Sequence, residues 1–210
     1  MTKNIDTSNS FVQLLTKAII AGDLVTATAL IAEGVNVHSR DLTGHIPIFV
    51  AARDGKAEMV RLLASNGVDI NAPIYSDGKR PLYWAADGGH LDTVRTLLEL
   101  GATTDPSDSG GHTALRACAH NLVVQGLNVP DKVRWQRDQS NHPNGYTSVV
   151  EALILAGADV NVAPDTSKAR YESPSAAEMI RDVGIYRLVD LLKGREKPRP
   201  KRSFWSALFD

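Results

Sequence analysis

The sequence contains one cysteine and six histidines, the residue types most often found at nucleophilic and metal-binding sites. The histidines are His38, His45, His90, His112, His120 and His142. Their separations do not match the short ligand spacings of zinc sites. Cys118 occupies the place in a repeated pattern that Ala51 and Ala85 occupy elsewhere, which indicates buried packing rather than nucleophilic attack. The sequence therefore predicts no catalytic residue, no metal and no cofactor.

The glycine-containing stretch "DSGGH" at 108–112 is the nearest approach to a phosphate-binding loop. No strand pattern, lysine or phosphate-loop spacing accompanies it, so it is predicted to be a turn. One further hypothesis, an enzyme or a small-ligand protein, stays open as the less favoured alternative. In it, a pocket at an inserted segment described below collects polar side chains: His112, His120, His142, Asp108 and Asp138.

Composition places the chain among ordinary soluble proteins. Of its 210 residues, 43% are hydrophobic and 22% are charged. No apolar run approaches the roughly 18 residues of a transmembrane helix, and the polar start "MTKNIDTSNS" does not resemble a secretion signal. The single cysteine fits a reducing compartment. We expect a cytoplasmic protein.

The elements that would position any functional side chain are repeated. Gly34, Gly67 and Gly101 end similar phrases and are spaced by 33 and then 34 residues. Each phrase contains two helical patterns. In the first, the i, i+3, i+4, i+7 spacing predicts one buried face made of Phe11, Leu14, Leu15, Ala18 and Ile19. The second helix is predicted over about 24–33, with Gly34 ending it in the left-handed conformation.

Further positions agree in register. These are the glycines Gly44, Gly78 and Gly111, the helix starts Pro47, Pro81 and Ala114, and the small pairs Ala51 with Ala52, Ala85 with Ala86, and Cys118 with Ala119. They resemble the ankyrin repeat, whose signature is T-P-L-H-x-A. The resemblance implies an all-α solenoid of stacked helix pairs with β-turn or hairpin loops. We place five units in an array over 1–196, at about 10–38, 39–72, 73–105, 106–162 and 163–196.

Two signature positions depart from the family. The threonine position holds Ile46, Arg80 and Thr113 in successive units, and the histidine position holds Phe49, Tyr83 and Arg116. The hydrogen bonds that Thr and His make together in the family cannot form in these units. We expect the loss of these bonds to weaken local rigidity and the apolar replacements to recover stability by packing.

The fourth unit contains 23 additional residues at 122–144, between its two helices. The first part is apolar and is predicted to lengthen the preceding helix, whereas the remainder is polar with one tryptophan. Loops this long are often functional. Two interpretations stay open. In one, Trp135 and Arg137 anchor a partner, and in the other Trp135 folds back over units four and five.

The tail at 197–210 is basic and aromatic. Residues 193–210 contain six basic and two acidic residues, whereas the preceding 192 residues contain 17 basic and 22 acidic residues. The aromatic residues of the tail either cap the last repeat or dock on a partner or an anionic membrane. Because the array is acidic and has no basic stripe, we expect no nucleic-acid partner.

The resemblance implies that turn tips and first-helix ends line a concave groove that binds another protein. The positions that match this groove, together with the inserted anchors, are Leu42, His45, Arg53, Tyr75, Ser76, Asp77, Lys79, Trp84, Asp87, His112, Arg116, His120, Trp135 and Arg137. Most are expected to be energetically silent. Tyr75 and Trp84 are the first to test, and Trp84 is either buried between repeats or exposed in the groove.

The favoured hypothesis is a non-enzymatic module that binds one protein through the groove of units three to five. The partner would be a toxin or an enzyme if the chain is an inhibitor or a toxin-neutralising immunity protein. The alternatives are a host-directed effector and an adaptor or scaffold.

Overall fold

A computed structural model of the chain describes residues 7–75, 78–105, 113–127, 145–162, 174–183 and 186–193. Within these ranges the regular secondary structure is helical and no strand occurs. The all-α prediction is confirmed for this part of the chain. The helices are α1 (Thr7–Ala21), α2 (Leu24–Ala32), α3 (Pro47–Arg53), α4 (Ala57–Ser65), α5 (Pro81–Asp87), α6 (Leu91–Glu99), α7 (Ala114–Leu127), α8 (Tyr146–Leu155), α9 (Ala176–Val183) and α10 (Tyr186–Leu192).

The helices pair in chain order and the pairs stack in the same order. The first helices form one row, in which α1, α3, α5, α7 and α9 each contact the next. The second helices form the other row, from α2 through α4, α6 and α8 to α10. Buried side chains from both rows form one continuous hydrophobic core. Each pair is too small to bury its own apolar face, so the stacking supplies the core that a single unit lacks.

Proline and alanine determine how the first helices begin and pack. Pro47 and Pro81 are the first residues of α3 and α5, where the missing backbone donor would have had no partner in the helix. The predicted small pairs are completely buried: Ala51, Ala52, Ala85, Ala86, Cys118 and Ala119. Because these side chains are short, the first helices of neighbouring units can approach closely.

Glycine ends the second helix of four successive pairs. Gly34, Gly67, Gly101 and Gly157 all have positive φ angles, between 84° and 92°. The residue after each glycine donates its N–H to a carbonyl five residues earlier, as Val35 does to Leu30 at 3.1 Å. This is the bond pattern that satisfies the last carbonyls of a helix. The 33-residue spacing in the sequence therefore reports a repeated helix end.

His90 connects the second and third units. Its Nε2 lies 2.8 Å from the backbone oxygen of Arg53. The ring occupies space beside two glycines, since a Cβ built on Gly55 would lie 2.6 Å from Nδ1 and one built on Gly88 would lie 2.5 Å from Nε2. Those distances are too short for real contacts, so the histidine and the two glycines form one packing unit.

The predicted buried face of α1 is partly wrong. Leu15, Ala18 and Ile19 are buried, but Phe11 is 43% exposed and Leu14 is 47% exposed. Val12 and Thr16 are buried in their place. The rotation of α1 is set by its contacts with α2 and α3, and no earlier helix covers its outer side among the described residues. The periodicity correctly predicted an amphipathic helix, but the observed buried face is rotated by about one residue from the predicted one.

Helix α7 confirms the predicted lengthening of a first helix into the insertion. It has 14 residues, whereas α3 and α5 have seven each. Leu122 and Val123 are buried against the core, which accounts for the apolar start of the inserted segment. Residues 128–144 and the tail at 197–210 lie outside the described residues. The unit boundaries stay predictions.

Candidate functional site

Five aromatic rings lie together where the first-helix row meets the preceding loops. This aromatic face consists of His45, Phe49, Tyr75, Tyr83 and Trp84. Phe49 is central, with ring centroids 4.7 Å from His45, 5.5 Å from Tyr75 and 5.2 Å from Trp84. Trp84 also lies 6.3 Å from Tyr75 and 5.4 Å from Tyr83, both edge-on. Edge-to-face pairs at these separations are favourable contacts that fix ring orientation.

Hydrogen bonds in the loop before α3 fix the position of His45. The Asp41 carboxylate oxygen Oδ1 accepts the Thr43 backbone N–H at 2.8 Å, the Thr43 hydroxyl at 2.6 Å and the His45 backbone N–H at 3.0 Å. Burial raises the pKa of Asp41, but the hydrogen bonds from Thr43 and His45 together lower it by more than burial raises it. The pKa of Asp41 therefore lies below its ordinary value. The ionised Asp41 carboxylate therefore accepts the hydrogen bonds that hold the turn in place.

Arg40 joins this loop to the next one. Its guanidinium donates to the carbonyl oxygen of Gly44 at 2.7 Å and to that of Ile74 at 3.0 Å. The same guanidinium lies 5.9 Å from the centroid of the Tyr75 ring. Since Ile74 directly precedes Tyr75, these bonds determine where Tyr75 lies relative to Phe49.

Cationic side chains cover three more ring surfaces. Arg53 lies 5.1 Å from the Phe49 centroid, and the Lys79 ammonium lies 5.0 Å from Tyr83 and 5.5 Å from Trp84. Cations at such distances are attracted to the negative face of the ring. Arg53 also donates to Asp54 at 2.7 Å, and this hydrogen bond raises the pKa of Arg53. The face thus combines aromatic surface with positive charge from the chain itself.

Arg116 extends the positive charge to the first turn of α7. Burial lowers the pKa of this half-buried guanidinium, and Tyr83 acts on it in the opposite direction. Its Nε donates to the carbonyl oxygen of Pro174 at 3.3 Å, which connects the fourth unit to the fifth. Thr113 keeps the capping function of its signature position, because its hydroxyl accepts the Arg116 backbone N–H at 3.2 Å.

Asp87 has a structural contact at the end of α5. Its carbonyl oxygen accepts from the Asn121 side chain and from the Tyr146 hydroxyl, both at 2.9 Å. Its carboxylate accepts a further bond from Asn121 at 3.0 Å. These bonds tie α5 to α7 and α8.

The structure brings together several of the residues selected from sequence. His45, Arg53, Tyr75, Lys79 and Trp84 all belong to, or lie over, the aromatic face. Trp84 is partly buried and packs on the core, as the burial interpretation expected, and its exposure in a binding groove stays a prediction.

Seven other selected residues lie elsewhere or outside the described part of the chain. Leu42 at its turn tip is 69% exposed, and His120 on α7 is exposed. The selected residues that lie outside the described residues are Ser76, Asp77, His112, Trp135 and Arg137.

Sequence reasoning did not select Phe49, Tyr83, Arg40 or Arg80 as site residues. Phe49, Tyr83 and Arg80 occupy the positions where the Thr and His of the repeat signature are replaced, and these departures were the available signal. Phe49 is only 3% exposed, which confirms that an apolar replacement recovers packing. Arg40 had no comparable signal, because its bonds depend on the fold of two loops.

The described residues offer little that resembles catalytic chemistry. Burial raises the pKa of the Cys118 thiol well above its ordinary value, and its Sγ donates to the Tyr146 carbonyl at 3.3 Å. This confirms the predicted packing position. Across the described ranges no three His, Cys, Asp or Glu side chains gather as metal ligands. Of the pocket residues in the enzymatic hypothesis, only His120 is described. Among the described helices, none has the length and apolar character that crossing a membrane requires.

Comparison with known proteins gives a consistent result. The family described as "Ankyrin repeats (3 copies)" matches residues 15–108. An ankyrin repeat protein of Fowlpox virus (strain NVSL) is 30% identical over 112 residues, covering 53% of this chain and 17% of the viral protein. The human ankyrin repeat and KH domain-containing protein 1 is 36% identical over 100 residues, covering 47% of this chain and 4% of that protein. The Caenorhabditis elegans ankyrin repeat and KH domain-containing protein mask-1 is 31% identical over 164 residues, covering 78% of this chain and 5% of the C. elegans protein. The chain therefore spans less than a fifth of the length of these relatives.

Proposed function

Because this chain belongs to the ankyrin-repeat family, with the repeats matched over residues 15–108, we propose that it binds one protein partner through a groove that contains the aromatic face. Ankyrin repeats are generally non-catalytic modules for protein–protein interaction. We propose the same for this chain, as a binding protein and not an enzyme. The proposal places it in the cytoplasm, where its single cysteine would stay reduced.

The observation that carries the proposal is the clustering of aromatic and cationic side chains on one side of the array. Tyr75, Tyr83 and Trp84 are partly exposed, and each ring packs edge-on against a neighbouring ring. Trp, Tyr and Arg are the residue types enriched among interface hot spots. Rings already held in position lose little freedom on binding, so more of the contact energy appears as affinity.

The described face reaches from the loop before α3 to the first turn of α7. In the predicted units this is the second to the fourth, whereas the sequence favoured units three to five. We retain an extension into the fifth unit as part of the proposal, because Arg116 bonds to Pro174 there. Trp135 and Arg137 of the inserted segment, which lie outside the described residues, stay candidate anchors for the partner.

Site-specific photocrosslinking tests this function. A benzophenone amino acid placed at position 79, beside Tyr83 and Trp84, is expected to capture one protein in extracts of the source cells. The matched control is position 95, since Arg95 is an exposed cation on α6 in the second-helix row. Crosslinks of equal yield at both positions, or at neither, would contradict a specific partner on this face.

The finer proposal is that the chain inhibits or neutralises its partner, as a toxin-directed immunity protein would. The ring contacts that hold the aromatic face in position support this, because a surface already in its bound shape loses less freedom on association and so binds more tightly. With the captured partner purified, an equimolar amount of this chain should abolish the partner's activity. A partner that stays fully active in the complex would indicate an adaptor or an effector instead.

A further inference from the structure

Three arginines beside the aromatic face have no carboxylate partner among the described residues. Arg40 donates only to backbone carbonyls, at 2.7 and 3.0 Å, and Arg116 donates to the Pro174 carbonyl at 3.3 Å. Arg80, directly before α5, forms no ion pair within the described ranges. The positive charge of these guanidinium groups is therefore not neutralised by acids of the described chain.

Two enclosed donors, one on Arg80 and one on Trp84, also have no acceptor within the described part of the chain. The Nε of Arg80 and the indole Nε1 of Trp84 are both buried from solvent, and neither has a hydrogen-bond partner among the residues that the structure describes. Buried polar groups without a partner are costly, so native proteins seldom retain them without a reason. A ligand cannot reach these enclosed atoms directly, but the other guanidinium nitrogens of Arg80 are donors as well, so a ligand that complements this side chain supplies acceptor oxygens.

The ring surfaces argue against a cationic ligand. Arg40, Arg53 and Lys79 already lie over Tyr75, Phe49 and Trp84, at 5.1 to 5.9 Å from the ring centroids. A cation from a partner would have to displace one of them and would meet like charge. The rings therefore stabilise positive charge that the chain itself supplies.

We propose that the partner presents an acidic segment to this face, with Asp or Glu carboxylates near Arg40, Arg80 and Arg116 and apolar side chains on Tyr75 and Trp84. This inference rests on the proposed function and specifies the chemistry of the partner. Carboxylates are negatively charged acceptors, so they match both the charge and the donor excess. The net acidity of the remainder of the array would then repel other acidic surfaces and restrict them to this face.

The experiment places the benzophenone amino acid at position 75 and identifies the crosslinked partner segment by mass spectrometry. The proposal expects a segment with at least two acidic residues close to the crosslink. It also expects Arg40→Glu combined with Arg80→Glu to lower the affinity by about ten-fold or more, because reversing charges next to a carboxylate replaces attraction by repulsion. Arg95→Glu on α6 is the matched control and should change the affinity less than about two-fold.

Each failure has a distinct meaning. In one outcome the crosslinked segment is neutral or basic, charge reversal has no effect, and Tyr75→Ala still weakens binding. This outcome overturns the acidic partner but leaves the proposed function in place. Loss of crosslinking after nuclease treatment overturns it in favour of a nucleic acid. If position 75 captures nothing, the proposed function itself fails. Thermal unfolding verifies that the charge-reversed variant folds. Two milder tests repeat the affinity measurement: one uses the variant Arg40→Gln with Arg116→Gln, and the other titrates the unmodified chain with salt.

Discussion

Replacing Phe49 with leucine is predicted to destabilise the chain far more than the change in side-chain volume suggests. The ring is 3% exposed and contacts His45, Tyr75 and Trp84 at centroid distances of 4.7, 5.5 and 5.2 Å. Aromatic pairs contribute about 0.5–1.5 kcal/mol each beyond burial, and such terms are not fully additive. Leucine keeps most of the apolar area but none of these ring contacts. We therefore expect a loss of about 2 kcal/mol from the free energy of unfolding.

The assay is urea unfolding at 25 °C, followed by circular dichroism, with the midpoint converted to a free energy. Phe11→Leu is the matched control, because this ring is 43% exposed and its replacement should cost less than about 0.5 kcal/mol. A double-mutant cycle that combines Phe49→Leu with Trp84→Leu should give a coupling of about 1 kcal/mol. If Phe49→Leu costs no more than Phe11→Leu, or if the cycle is additive within about 0.3 kcal/mol, the rings do not form a packed unit.

Three further predictions concern the scaffold. Gly88→Ala should cost about 1–3 kcal/mol in urea unfolding, because its Cβ would lie 2.5 Å from His90, and the same change in a His90→Ala background should be close to neutral. The Cys118 thiol should react with an aromatic disulfide reagent only as fast as the chain unfolds. Because burial raises the pKa of this thiol, its contribution to stability is complete below the unfolded pKa of about 8.5 and declines at higher pH. Cys118→Ala should remove that decline. Asp41 behaves with the opposite sign, since its pKa is lowered: its contribution is present above the unfolded value of about 3.9 and is lost as the pH falls through the folded value, so Asp41→Asn should flatten the acid side of the stability curve.

Much of the fold follows from local rules that the sequence displays directly. Helix ends at Gly34, Gly67 and Gly101 require a left-handed residue, and Pro47 and Pro81 fit only a first helical turn. These constraints act within a few residues, so their period could be read without knowledge of the packing. The repeat architecture was therefore predictable over the described residues.

The aromatic face was less predictable, because it depends on contacts across units. Phe49 meets Tyr75 and Trp84 only after two loops take their folded positions, and Arg40 fixes one loop against the other through backbone carbonyls. Periodicity also could not set the rotation of α1, which left Phe11 exposed instead of buried. Propensity acts along the chain, whereas these features are decided by neighbours in space.

The central claim is that one preshaped face of the array binds the partner. Titration of the isotope-labelled chain with the photocaptured partner, followed by amide and indole chemical shifts, tests it most directly. The account predicts that the largest changes occur at Tyr75, Lys79 and Trp84, while resonances of α4 and α6 change little. Changes concentrated on α4 and α6, with the Trp84 indole signal unmoved, would contradict it.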